Sequence, residues 1–312
     1  MRFRNLLAVA VPAVTALAVT ACSPQQSTTG ISVVASFYPA AFLAERIGGD
    51  EIHVSTLTKP GVEPHDLELT AKQVIEINEA DVVVYLADFQ SAVDHGVNEA
   101  HRDAGTTVDI GLHVTRLNAG DEAHEDHADH EDHEDGGTDP HVWLDPDTMI
   151  AAVPLVTQAL VTADPAHRTT FEANAATLID DLTALAADGT ARLGAGSCAR
   201  KEFVTSHAAF AYLARHFGLT QISISGVDPS AEPSTAALAK ITELVKSHGI
   251  TTIFTERIAS SALATTVARE TGATTAVLDP IEGLTTETST ADYLSLMHAN
   301  IDALALANGC AS

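Results

Sequence analysis

Basic residues are scarce in this sequence. Sixteen Lys and Arg stand against 42 Asp and Glu, a formal net charge of −26. A chain this acidic repels phosphate backbones, which excludes nucleic acid as the default partner and suits cations. Long apolar runs are missing too: beyond the first residues none approaches the roughly 18–20 apolar positions that a membrane-spanning helix needs. Three cysteines and one tryptophan are all that occur. There is no Ser-His-Asp spacing, no glycine-rich phosphate loop and no zinc-protease helix motif, so no catalytic residue is assigned and the chain does not read as an enzyme.

What is present begins at the N-terminus. Arg2 and Arg4 precede an apolar run from Leu6 to Val19, with small residues just before Cys22. That pattern is a secretory signal rather than a membrane span. Val19-Thr20-Ala21-Cys22 resembles the lipobox of bacterial lipoproteins, in which the cysteine becomes the lipidated first residue after cleavage. The expectation is a signal peptide over 1–22, an anchor on Cys22 that ties the protein to the outer side of the cell membrane, and a polar flexible tether over 23–30. Export places Cys198 and Cys310 where disulfides persist. The two are either bridged or both free, since sequence does not give their geometry.

Strand-like apolar runs recur at Ile31 to Phe37, Ile52 to Leu57, Asp81 to Leu86 and Thr106 to Ile110, with helix-period segments at Pro39 to Ile47, Ala71 to Ala80 and Phe89 to Ala104. Strand and helix in alternation imply a parallel sheet. From Asp147 the texture becomes Ala- and Leu-rich and helical, and the part from Arg168 to Leu193 is long enough to serve as a strut. Alternation then resumes, with strands expected at Glu202 to Ser206, Gln221 to Ser225, Thr251 to Thr255 and Thr274 to Leu278. The fold class is α/β: two similar lobes, 31–146 and 198–312, joined by a helical linker over 147–197, with the interlobe cleft as the ligand site.

The most conspicuous segment is Asp121 to Asp135, where His124, His127, His130 and His133 recur every third residue among nine acidic ones. So charged a stretch cannot build a core, and it reads as a loop inserted in the first lobe. Imidazoles amid carboxylates attract divalent transition ions, so the loop is an accessory metal collector of modest affinity, because ordering it costs binding energy.

A tight site belongs on rigid elements instead. Ligands of open α/β sheets bind beyond the carboxyl ends of strands, and His207 directly follows Glu202 to Ser206 while Asp279 directly follows Thr274 to Leu278. His65 lies in the loop after Ile52 to Leu57, and His141 in a proline-stiffened segment, Asp139-Pro140-His141-Val142-Trp143-Leu144-Asp145-Pro146. His65, His141, His207 and Asp279 are therefore the expected metal ligands. Glu63 and Glu256 are expected to support them from behind, and Trp143 to pack the wall of the site.

The signal with its lipobox, Glu63-Pro64-His65-Asp66, the acidic histidine loop, the segment around His141, Ser206-His207-Ala208-Ala209-Phe210-Ala211-Tyr212-Leu213 and Leu278-Asp279-Pro280 together resemble the ZnuA-type solute-binding proteins of zinc and manganese ABC importers, over essentially the whole mature chain. The resemblance implies two α/β lobes held by a long rigid helix, one metal ion between them, and a permease with its ATPase as partners of a monomeric binding protein. In the manganese branch the third ligand position is usually a glutamate, whereas this chain has His207 there. Three imidazoles and a carboxylate suit tetrahedral Zn2+ better than Mn2+, which prefers more oxygen. The other readings open at this point are import of Mn2+ or another divalent ion, a zinc-dependent hydrolase, and a surface zinc buffer or adhesin.

Overall fold

A computed structural model describes residues 30–119 and 137–311. The expected signal peptide with Cys22, the tether as far as residue 29, and the loop 121–135 with His124, His127, His130 and His133 lie outside the described residues. Among the described residues no helix is long and apolar enough to cross a membrane.

The first lobe is built from β1 (Ile31–Ala35), α1 (Tyr38–Gly48), β2 (Ile52–Thr56), α2 (Ala71–Glu79), β3 (Val82–Tyr85), α3 (Ser91–Glu99) and β4 (Thr107–Asp109). Its four strands are parallel in the order β2-β1-β3-β4. Two linker helices follow, α4 (Pro146–Ala163) and α5 (Arg168–Leu193). The second lobe repeats the first, with β5 (Glu202–Thr205), α6 (Ala211–Phe217), β6 (Thr220–Ser223), α7 (Thr235–Ser247), β7 (Thr252–Thr255), α8 (Ala262–Thr271), β8 (Thr274–Val277) and α9 (Tyr293–Asn308). Its strands are parallel in the order β6-β5-β7-β8. The expected α/β class of two parallel-sheet lobes is what the chain adopts.

Local chemistry marks the element ends. Thr70 and Gln73 form a reciprocal capping box at the start of α2, Asp292 and Ser295 another at α9, and Asp145 caps α4 just ahead of Pro146. The helix expected to reach Ala104 ends at Glu99 instead, and His101 then takes a left-handed backbone with φ 46°. Cys198 and Cys310, left open by sequence, are joined by a disulfide across 112 residues that ties the start of the second lobe to the C-terminus.

Strand periodicity explains the layering. Val33, Val82 and Val84 point to one face of the first sheet and Val34 and Val83 to the other; Phe203 and Phe254 do the same against Val204 and Ile253 in the second. The outer faces are covered by Ile77 and Val93 of α2 and α3, and by Val245 and Val267 of α7 and α8. The inner faces meet one continuous apolar cluster that takes in α1, α4, α5, α6 and α9 and reaches from Phe42 to Tyr293. At about 1.5 Å per residue α5 is about 39 Å long, and it packs on α1 of one lobe and α9 of the other. Gly189 lets it come that close, for a Cβ there would stand 2.4 Å from the ring of Phe217.

Candidate metal centre

Each sheet reverses its strand order at a switch point, between β1 and β3 and between β5 and β7, and crevices at such points collect ligands. The loops leaving these strand ends converge between the lobes. His65, His141, His207 and Glu282 bring ligand atoms within 4.8 Å of one another there, all buried except half-buried His65.

His65 comes from the loop after β2. Buried Gln90 fixes that loop by donating Nε2 to the Pro64 carbonyl at 3.1 Å and to Thr58 Oγ1 at 2.9 Å. Glu63 Oε1 accepts the His65 backbone N–H at 3.2 Å. The His65 ring stands edge-on to Phe89, with centroids 4.9 Å apart.

His141 is held by its neighbour two residues back. Asp139 Oδ1 accepts its backbone N–H at 2.9 Å and faces its Nδ1 at 2.8 Å. The Asp139 segment is itself anchored, because Tyr212 donates its hydroxyl to the Asp139 carbonyl and accepts the Leu117 N–H. Ala119 N–H donates to Gly137 O at 2.8 Å, so the chain leaves for residues 120–136 and returns at one closed point.

His207 follows β5. Glu256 follows the neighbouring β7, accepts the His207 backbone N–H at 3.2 Å through Oε1 and pairs with Nδ1 at 2.7 Å through Oε2. Nδ1 of His141 faces Asp139 and Nδ1 of His207 faces Glu256, which turns the Nε2 of each ring inward. A cavity of 280 Å³ lined by Ser206, Ser225, Ser230 and Glu232 reaches His207 from the second lobe.

The fourth member is Glu282. Its Oε1 lies 3.2 Å from His141 Nε2, 3.4 Å from His65 Nε2 and 3.6 Å from His207 Nε2, while the His141 and His207 Nε2 atoms are 3.3 Å apart. Bonds of about 2.0–2.1 Å at tetrahedral angles place zinc ligands about 3.3–3.4 Å from one another. These four of the six edges bracket that length, and the two His65–histidine edges lie within 4.8 Å. His65 Nε2 and Glu63 Oε2 are among the buried atoms without a hydrogen-bond partner.

Asp279 requires a correction. The structure does not bring it to the three histidines: Oδ1 accepts the Ile281 N–H at 2.8 Å, and Oδ2 pairs with Arg257 Nε at 3.1 Å. The chain needs three more residues to turn into the cleft, and it does so through Ile281, a buried β-branched residue with φ 57°. That conformation costs about 1–3 kcal/mol. Sequence reasoning passed over Glu282, Asp139 and Arg257. The Asp two residues before His141 was the one available signal.

Trp143 packs at the wall, its ring centroid 5.2 Å from that of His141 and 4.8 Å from that of Phe37. One other group of metal-competent residues occurs among the described ones, Asp145, Asp147 and His216. Its geometry is that of a helix cap, with Asp145 Oδ1 shared between the Asp147 N–H and His216 Nδ1.

Burial and the neighbouring carboxylates pull the three histidines in different directions. Burial lowers the His65 pKa. At His207 burial also acts downward but is outweighed by Glu256 and Glu282, which push it up to about 10. His141 is likewise raised, burial being overcome by Asp139 and Glu282. Glu282, although desolvated, is held well below the carboxylate range by the three imidazoles. Burial and the charge of Glu282 lift Glu63 to about 7.

Comparison with known proteins supplies the context. The family model described as "Zinc-uptake complex component A periplasmic", ZnuA, matches residues 33–307. The chain is 38% identical over 293 residues to the zinc-binding lipoprotein AdcA of Streptococcus pneumoniae serotype 4, covering 93% of this chain and 58% of that protein. It thus spans little more than half the length of that relative. It is also 38% identical over 280 residues to the high-affinity zinc uptake system protein ZnuA of Bacillus subtilis, covering 88% of this chain and 86% of the other. The Zn(II)-bound crystal structure of the ZnuA-like domain of S. pneumoniae AdcA superposes with a TM-score of 0.74 at 36% identity, over 89% of this chain and 99% of that one.

Proposed function

This chain belongs to the ZnuA family of zinc-uptake components, and from that membership we propose that it captures Zn2+ outside the cytoplasmic membrane and delivers it to an ABC permease driven by its ATPase. The ligands are His65, His141 and His207 through Nε2 and Glu282 through its carboxylate. The observation that carries the reading is that Glu282 Oε1 lies 3.2–3.6 Å from all three Nε2 atoms, with His141 and His207 Nε2 3.3 Å apart and all four atoms within 4.8 Å of one another, a spacing suited to a tetrahedral zinc ion.

Capture works by exchange. Glu282, Glu256 and Asp139 keep His141 and His207 protonated in the empty site, and the arriving dication displaces those protons from Nε2. The same carboxylates then orient the neutral rings through Nδ1. Four protein ligands complete a tetrahedral ion and leave no position for a reactive water, which favours transport over hydrolysis. Three nitrogens and few oxygens favour Zn2+ over Mn2+.

The remainder of the reading concerns the flanks. Residues 1–22 direct export, Cys22 carries the lipid anchor, the protein acts as a monomer, and His124, His127, His130 and His133 gather ions near the membrane for the tight site. The test is metal analysis of the mature protein purified without added metal, followed by competition between Zn2+ and Mn2+. One tightly held zinc that manganese fails to displace is the expected result. A preparation that prefers manganese, or binds neither ion, refutes the reading.

A further inference from the structure

Glu282 reaches the three histidines from a turn that its own sequence disfavours. Ile281 is fully buried and sits at φ 57°, in the left-handed region that glycine tolerates and a branched side chain does not. Such a turn persists only where its surroundings over-determine it. Asn300 on α9 grips the Asp279 backbone on both sides, donating Nδ2 to its carbonyl at 2.7 Å and accepting its N–H at 2.8 Å. Trp143 donates Nε1 to the Pro280 carbonyl at 2.7 Å. The Ile281 N–H goes to Asp279 Oδ1, and Asp279 Oδ2 faces Arg257.

These restraints differ in kind. Asn300 and Trp143 are core residues. Arg257 lies at the rim, lining a 490 Å³ cavity with Pro60 and Gly61 of the first lobe opposite, and its far end pairs with exposed Glu287 at 2.9 Å. Its neighbour Glu256 holds His207. Two consecutive residues at the end of β7 thus address both second-lobe ligands.

We propose that Arg257 and Asp279, neither of which reaches the ion, form a clamp that holds the Asp279–Glu282 turn in its left-handed form and so sets how long the site retains its zinc. The inference rests on the zinc-capture reading above. Arg257 is a positioning residue: it neutralises the buried Asp279 carboxylate, Asp279 holds the Ile281 N–H, and Ile281 aims Glu282. Without the guanidinium, Asp279 is an unpaired buried charge that swings toward solvent. Ile281 then relaxes and Glu282, the one anionic ligand, turns away from the Nε2 atoms.

The test compares wild type, R257M, R257K, I281G and R257M/I281G in the full mature protein. Zinc dissociation is followed by chelator competition and the metal-free Tm by thermal unfolding. R257M should release zinc about 10–100 times faster, as loss of groups that orient metal ligands does, with the metal-free Tm nearly unchanged. R257K should recover part of the retention. In the I281G background, where the left-handed turn carries no penalty, removing Arg257 should matter less, so the two substitutions couple. Release from R257M within about threefold of wild type overturns the clamp. So does a loss of retention that follows a fall in Tm equally in R257M and R257K and is the same with or without I281G. A wild-type protein that takes up no zinc overturns the capture reading, and the clamp with it.

Discussion

Replacing Glu282 by alanine separates the ligand set proposed from the cluster geometry from the one that strand-end reasoning proposes. Among the described residues Glu282 is the only carboxylate within 3.6 Å of all three Nε2 atoms, and Asp279 is engaged by Arg257 and Ile281. Four-ligand zinc sites of folded peptides bind with about 10–16 kcal/mol, or about 2.5–4 kcal/mol per ligand. At about 1.4 kcal/mol per factor of ten, losing one ligand raises Kd about 10²–10³-fold. Three imidazoles and a water still satisfy zinc, so the lower end, about a hundredfold, is the expected value for E282A. D279A removes no ligand but loosens the turn that carries Glu282, and should cost about tenfold or little more, the range expected of a supporting group. The assay is zinc competition against a chelator of known affinity at neutral pH, on metal-free proteins whose thermal unfolding shows them folded. A D279A protein weaker than E282A would refute the assignment and restore Asp279 as the ligand.

Two further outcomes are expected. Because the His207 pKa is pushed up to about 10 and that of His141 is raised as well, protons compete for Nε2; zinc affinity should be lost as pH falls and keep rising above neutrality. A pH titration that levels off near neutrality would contradict this. Replacing residues 120–136 by a two-residue turn should preserve the one tight zinc and the Tm, because the Ala119–Gly137 hydrogen bond already closes the insertion at its base. Calorimetry should then show only the weaker sites gone; loss of the tight site would mean that the insertion supplies a ligand.

Much of this site can be read in the sequence because three of its four members stand where short-range rules place them. His65 and His207 sit in loops at strand ends, and His141 sits between prolines. Glu282 defeats those rules. Asp279 occupies the strand-end position after β8, and the chain then turns inward through a residue type that almost never adopts the required φ. Tertiary contacts from Asn300, Trp143 and Arg257, together with the local Asp279 bond to Ile281, make that turn favourable, and these partners are distant in sequence or invisible to periodicity. The lobes themselves were legible for the opposite reason. Their strands are short apolar runs separated by amphipathic helices, so local pattern and global fold agree.

The apolar cluster that joins the two sheets through α5 bears on how occupancy can be communicated. A hinged receptor reports a full site by folding shut, so a transporter can recognise closure without sensing the cargo. Here the lobes share one interior, and moving one against the other would open packed surface along the whole of α1, α5 and α9. If the site fills with a dication as proposed, the change is confined to the loops around the cleft, where charge and not shape is altered. A partner that discriminates a loaded from an empty molecule has to read texture and charge rather than shape.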